Sequence, residues 1–144
     1  MEGAERVLRV KNSRMETPIN DRLARVAGRS TLQVTHIGRK SGKAYQVTTW
    51  FVVQGEKILL PTSNIERNWV RNVRRTPHVG LSIATERFSG EARFLDSDAD
   101  RARVRAMIER KYRIGGPALA VLELFARVGL GTFKYGAFEV SLSG

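Results

Sequence analysis

Hydrophobic and polar positions alternate over Thr31–Ile37, with Leu32, Val34 and His36 on one face and Thr31, Gln33 and Thr35 on the other. A period of two is the mark of a half-buried strand. The same alternation opens Ala44–Val53, which ends in Trp50-Phe51-Val52-Val53 and so predicts burial on both faces near its end. Gln54-Gly55-Glu56 reads as a hairpin turn into a third strand, Lys57–Pro61. Pro61 ends that ladder, and Thr62-Ser63-Asn64 opens a hydroxyl-rich loop. His78–Ala84 and Arg87–Leu95 predict a fourth and fifth strand across a turn near Thr85-Glu86, and Phe133–Leu142 a sixth.

Between strands the period lengthens to that of a helix. Asn20-Asp21 before Leu23, Ala24, Val26 and Ala27 predicts a short capped helix ending at Gly28, with Arg22, Arg25 and Arg29 outside. A second helix runs from about Glu66 to Arg75 and stops before Pro77. It carries Arg67, Arg71, Arg74 and Arg75 on one face, Trp69, Val70 and Val73 on the other, and Asn68 and Asn72 between them. This placement makes Trp69 a core anchor. Ser97 with Asp100 forms a capping box that opens a helix through Val104, Met107, Ile108 and Tyr112, with Arg105 and Glu109 as an i,i+4 pair. Gly115-Gly116-Pro117 breaks the chain before an apolar helix over residues 118–128, too short to span a bilayer. The order predicts one α+β domain over residues 1–144, built on an antiparallel, barrel-like sheet of about six strands.

Composition narrows the chemistry. The 144 residues include no cysteine, which excludes disulfides, thiolate catalysis and cysteine metal sites. The two histidines, His36 and His78, show no ligand spacing. The N-terminus is no signal peptide and no run approaches a membrane span, so a cytoplasmic location is expected. A formal net charge of +11 favours anionic partners: nucleic acid, acidic lipid, or a phosphorylated or polycarboxylate cofactor. No helix-turn-helix, RNP or zinc pattern supports nucleic acid. The basic N-terminal helix keeps peripheral membrane contact as an expectation. No G-x-S-x-G, H-E-x-x-H or G-x-G-x-x-G appears, so a bound cofactor, rather than side chains, is expected to carry any reaction.

The most distinctive stretch is Gly38-Arg39-Lys40-Ser41-Gly42-Lys43, set between the first two strands. Two glycines give the freedom a hairpin tip needs, and three cations and a hydroxyl crowd onto it. It is not a P-loop: three residues separate the glycines, Ala44 follows Lys43, and a strand rather than a helix comes next. A solvated turn with basic decoration and an anion site both fit these residues.

His36–Lys43 in strand–turn–strand context, Thr62-Ser63, Trp69-Val70-Arg71-Asn72-Val73 and Thr76-Pro77-His78-Val79 together resemble the deazaflavin-dependent nitroreductase family. That family belongs to the flavin-reductase-like split β-barrel superfamily, and the likeness runs over Thr31–Leu95. It implies a split barrel that binds coenzyme F420 and transfers hydride to an electron-poor acceptor such as a nitro, quinone or enone compound. By the same match, Arg39, Lys40, Ser41, Gly42 and Lys43 would hold the phosphate and acidic tail. Thr48, Thr62, Ser63, Trp69 and Asn72 would line the rest of the cofactor site. Outside the matched stretch, Tyr112 and Tyr135, each following a lysine near a helix or strand end, are the acceptor-side candidates. A homodimer, common in the superfamily, is the expected assembly. The chain departs from the family at Tyr45 and Gln46, where another basic residue is usual, and in a shorter loop between Ser63 and Trp69. Trp50-Phe51-Val52-Val53 and Asn72–Pro77 also resemble the FMN-binding, pyridoxamine-oxidase-like branch, which keeps FMN as the alternative cofactor.

Overall fold

A computed structural model describes residues 18–112 and 135–143. Three helices, α1 (Ile19–Val26), α2 (Asn68–Arg75) and α3 (Asp98–Tyr112), accompany seven strands: β1 (Leu32–Ile37), β2 (Ala44–Thr49), β3 (Val52–Gln54), β4 (Lys57–Thr62), β5 (His78–Ile83), β6 (Glu86–Leu95) and β7 (Gly136–Ser143). The strands form one sheet in the order β2-β1-β5-β6-β7-β4-β3, and every pairing is antiparallel.

The predicted second strand is therefore two strands. β2 and β3 follow one another in the chain yet lie at opposite edges of the sheet, joined only by Trp50 and Phe51. Three Cα steps reach at most about 11 Å, so the sheet must curl until its edges nearly meet. Thr49 Oγ1 donates to the Pro61 carbonyl across that seam at 3.5 Å. The apolar run at Trp50–Val53 thus marks a crossover between edges, with Phe51 fully buried at the passage.

Alternation then sorts the side chains into two cores. Leu32 and Val34 of β1, Ile58 and Leu60 of β4, and Phe138 and Val140 of β7 fill the inside of the curl, closed at its ends by α1 and α2. The intervening residues, Leu59 of β4, Leu95 of β6 and Ala137 of β7, face outward and are covered by Val104 and Ile108 of α3. β4 and β7 are covered on both faces, and Leu59, Ile58, Leu60 and Val140 are all fully buried.

Three expectations are corrected. β4 runs past Pro61 to Thr62, pairing Pro61 with Ala137. Its carbonyl faces the seam, so the nitrogen that lacks a proton also points away from β7 and costs no ladder bond. Arg22 does not lie outside: it pairs with Glu86 at 2.9 Å, sits 4.4 Å over the Phe88 ring and fastens α1 to the β5–β6 hairpin. Asn72 is no boundary residue but 5% exposed. The capping box is half made, with Asp100 N donating to Ser97 Oγ at 3.1 Å. Arg105 and Glu109 pair at 3.3 Å. The expected helix over residues 118–128, the Gly115-Gly116-Pro117 break and the first residues of the last strand lie outside the described residues.

Candidate functional site

The 38–43 turn is a closed loop. Gly42 N donates to the Gly38 carbonyl at 2.9 Å, and Gly38 N to the Lys43 carbonyl at 2.8 Å. Gly42 has φ +71°, a conformation that side chains with a Cβ resist. A Cβ at Gly38 would stand 2.6 Å from Ser41 Oγ and 2.7 Å from Tyr45 Cε2. The absent basic residue after the turn has a physical replacement: Tyr45 packs over Gly38 and its hydroxyl hydrogen-bonds Ser41 Oγ at 3.0 Å, bracing the turn from β2.

α2 fixes the other side. Asn72 Oδ1 accepts from Arg39 N at 3.1 Å and from Arg39 Nη1 at 2.8 Å, while Asn68 Oδ1 accepts from Arg39 Nη2 at 3.3 Å. The Asn72 amide also faces Nδ1 of buried His36 at 3.1 Å. Burial holds the His36 pKa below the ordinary histidine value. The Arg39 guanidinium is thus pinned by two asparagines one helical turn apart. Lys40 and Lys43 are exposed, and among the described residues the backbone N–H groups of Lys40 and Ser41 take no hydrogen bond. At 3.6 residues per turn, Arg71 and Arg75 lie within about 60° of Asn68 around α2, on the flank that meets the turn. Both are exposed and unpaired among the described residues. Sequence reading grouped them with Arg67 and Arg74. The structure separates these, with Arg67 donating to Ser63 Oγ at 3.3 Å and Arg74 4.3 Å over the Phe94 ring.

The remaining candidates scatter. Thr62 is buried and its hydroxyl is engaged by the Asn64 backbone at 3.1 and 3.2 Å, so it shapes the loop from within. Ser63 stays half-exposed beside Arg67. Trp69 is 6% exposed and packs against Phe138 at 5.8 Å, the core anchor its helical position predicts. Thr48 is exposed opposite Gln33, on the face of β2 away from Tyr45 and His36. Strand alternation sets it apart from the turn's inner side.

Tyr112 and Tyr135 lie with α3 rather than at the turn. The Tyr112 hydroxyl donates to the Ser30 carbonyl at 2.6 Å and accepts from Phe51 N at 3.1 Å. Ser30 lies two residues before β1, whose far end carries the turn and whose six residues span about 20 Å. Tyr112 stacks on Trp50 with ring centroids 4.3 Å apart, so its chemistry is bracing the crossover. The Tyr135 hydroxyl is buried without a hydrogen-bond partner among the described residues, and burial pushes its pKa up to about 12.

Comparison with known proteins now bears on this geometry. Residues 7–114 match the model of the F420H2-dependent quinone reductase family. No curated protein matches the sequence. Among solved structures, one described as a candidate pyridoxamine 5'-phosphate oxidase from Listeria innocua is 14% identical with a TM-score of 0.63, covering 88% of this chain and 94% of its own. A structure described as an F420-H2 dependent reductase is 20% identical with a TM-score of 0.58, covering 78% and 94%. Another, described as a domain-swapped dimer, is 20% identical with a TM-score of 0.57, covering 78% and 80%. At these identities the structural neighbours establish the fold, a flavin-reductase-like split barrel. With three quarters of its length inside the family model, the chain belongs to the F420H2-dependent quinone reductase family and is an oxidoreductase that works with coenzyme F420.

Proposed function

We propose that the 38–43 turn, with Asn68, Asn72, Arg71 and Arg75 of α2, seats the phosphate and glutamate tail of coenzyme F420, and that the protein reduces a quinone. The observation that carries this reading is the pinned turn. Arg39 is held by two asparagines while Lys40, Lys43 and two backbone N–H groups stay unspent. Such a set of fixed donors and free cations matches a polyanion in charge and in hydrogen-bond type. The coenzyme, when bound, supplies the hydride. The protein's own residues would bind the anionic end through the turn and α2 and so fix the orientation of the molecule. Ser63, beside Arg67, would belong to the rim of this seat, whereas Thr48 lies on the other face of β2.

Solvent can deliver the acceptor's proton, so the reaction needs no dedicated acid among the side chains. Quinones, which accept hydride readily and reprotonate from water, suit a site of this kind. Nitro and enone compounds are the alternative acceptors. Anaerobic assays of F420H2 oxidation with a naphthoquinone, a nitroimidazole and a cyclohexenone rank the three classes; the quinone is expected to give the highest kcat/KM. No quinone turnover alongside robust nitro reduction contradicts the acceptor assignment. The assembly we propose is a homodimer, with the open edge of β2 covered by the second copy. Sedimentation that returns a monomer at all concentrations contradicts it.

A further inference from the structure

The three-residue chain His36–Asn72–Arg39 runs from the barrel interior to the turn, and its donors and acceptors admit one arrangement. Arg39 N–H and its guanidinium can only donate, so the Asn72 atom facing both must be the carbonyl oxygen. The Asn72 NH2 then faces His36, and His36 Nδ1 at 3.1 Å must be a bare acceptor. The ring is therefore neutral and carries its proton on Nε2. Protonating Nδ1 would set N–H against N–H, and relief by turning the Asn72 amide would aim its NH2 at Arg39. The groups around the ring offer no escape. β2 contributes Tyr45, opposite His36 in register and with its ring stacked at 6.0 Å, and β5 pairs with β1 up to Thr35, opposite Gly80. The only permanent charge in the chain is Arg39 itself.

We infer that His36 is a positioning residue that holds the 38–43 turn in its anion-binding form through Asn72, so that protonating His36 releases Arg39 and weakens the turn's grip on anions. The effect on coenzyme affinity rests on the seat proposed above; the relay does not. The sign is distinctive. A histidinium that touched the ligand would strengthen binding as pH falls, whereas this relay weakens it. Desolvation lowers the folded pKa of His36, so the neutral form is favoured at pH 7 and the loss sets in at lower pH than for an unperturbed histidine.

The test has two arms. In the first, NMR of the cofactor-free protein follows the His36 ring nitrogens, the Asn72 side-chain amide and the Arg39 backbone amide from pH 8 to 5. The relay predicts an Nε2–H tautomer at pH 7.5 and one shared titration for all three groups. His36→Asn keeps an acceptor where Nδ1 stands but cannot titrate, and should leave the Arg39 amide flat. An Nδ1–H tautomer, or an Arg39 amide that ignores the titration of His36, overturns the inference. In the second arm, fluorescence titration with coenzyme F420 compares wild type with His36→Asn across the same range, so that the ligand's own ionisations cancel in the ratio. Wild-type affinity should fall relative to His36→Asn by about tenfold on acidification, the coupling expected when one charged hydrogen-bonded contact is lost. A ratio that stays constant or moves the other way overturns it. If Lys40→Glu leaves affinity unchanged, the cofactor seat is what fails, and the NMR arm still decides the relay.

Discussion

Asn72 shows how one side chain can carry a site without being a catalytic group. It is 5% exposed and sits in the middle of α2, where its amide joins the buried face of β1 to the turn. Asn72→Leu removes three hydrogen bonds and leaves Arg39 N–H and His36 Nδ1 without partners. It is expected to destabilise the fold by about 2–3 kcal/mol, given a desolvation penalty of about 1–3 kcal/mol per unsatisfied group. Thermal unfolding checks this, and an unchanged midpoint would show that the pinning contributes nothing. Ala84 is a second informative residue. It holds φ +52° in the two-residue turn between β5 and β6, a strain of about 1–2 kcal/mol for a residue with a Cβ. Glycine relieves it at an entropic cost of about 0.5–1 kcal/mol, so Ala84→Gly should stabilise by roughly 0.5 kcal/mol. A lower midpoint of denaturation contradicts that reading.

At the scale of elements, α3 is fastened to the sheet by ionisable groups as well as by its second core. Glu139 on β7 is 8% exposed and is met by Lys57 of β4 at 3.1 Å, Arg93 of β6 at 3.2 Å and Arg103 of α3 at 3.8 Å. The hydrogen bonds from Lys57 and Arg93 outweigh the desolvation that would raise its pKa, and hold it below the ordinary carboxylate value. A folded pKa below the unfolded one contributes stability present at neutral pH and lost as pH falls below about 4.5. Glu139→Gln should therefore be less stable than wild type at pH 7, with the difference shrinking towards pH 3; a difference independent of pH contradicts the pairing. Lys111 is shifted in the same direction, but there the shift disfavours the charged form. Its Nζ donates to the Phe51 carbonyl at 2.9 Å and lies 3.6 Å from the Phe51 ring centroid, and burial lowers its pKa to about 8. The unfolded chain binds the proton more tightly, so this group adds stability as pH rises from about 8 to about 10.5. Relative to Lys111→Gln, the wild type should gain stability over that window, and parallel profiles would show that the lysine is not held in this way.

Much of this organisation was legible in the chain because it is local. Period-two alternation at Thr31–Ile37, the break before Pro77 and the Ser97–Asp100 cap are decided by neighbours in sequence, and they stand where expected. The split of Ala44–Val53 was not legible. An apolar run looks the same whether a strand is buried on both faces or the chain crosses a closing seam, and only the pairing of β2 with β1 and of β3 with β4 decides. The turn motif was plain, but its anchor was hidden. Arg39 and Asn72 are 33 residues apart, and no spacing rule links them. The contacts of Tyr112 and Tyr135 were hidden for the same reason, since whether a tyrosine near an element's end braces the backbone or lines a pocket depends on contacts the sequence does not contain. Lys57, an ordinary strand lysine by its position, turned out to partner a buried carboxylate.

For the whole molecule, the net charge of +11 finds part of its meaning at one end of the barrel. Arg22, Arg93, Arg103 and Lys57 are engaged by acids, whereas Lys40 and Lys43 on the turn and Arg71 and Arg75 on α2 stay unpaired among the described residues. The described helices include none long and apolar enough to cross a membrane. A polyanionic coenzyme should be held more weakly as salt screens this cluster. The most direct measurement is fluorescence titration of the protein with coenzyme F420 and, in parallel, FMN, for wild type, Lys40→Glu and Arg110→Glu. Arg110 is an exposed α3 residue away from the turn and serves as the charge control. Losing one charge-assisted contact of about 1.5–3 kcal/mol predicts at least about a tenfold weaker F420 complex for Lys40→Glu. Arg110→Glu should stay close to wild type, with F420 preferred over FMN throughout. Equal losses in the two variants, or equal affinity for the two flavins, would mean that bulk charge rather than the pinned turn holds the coenzyme.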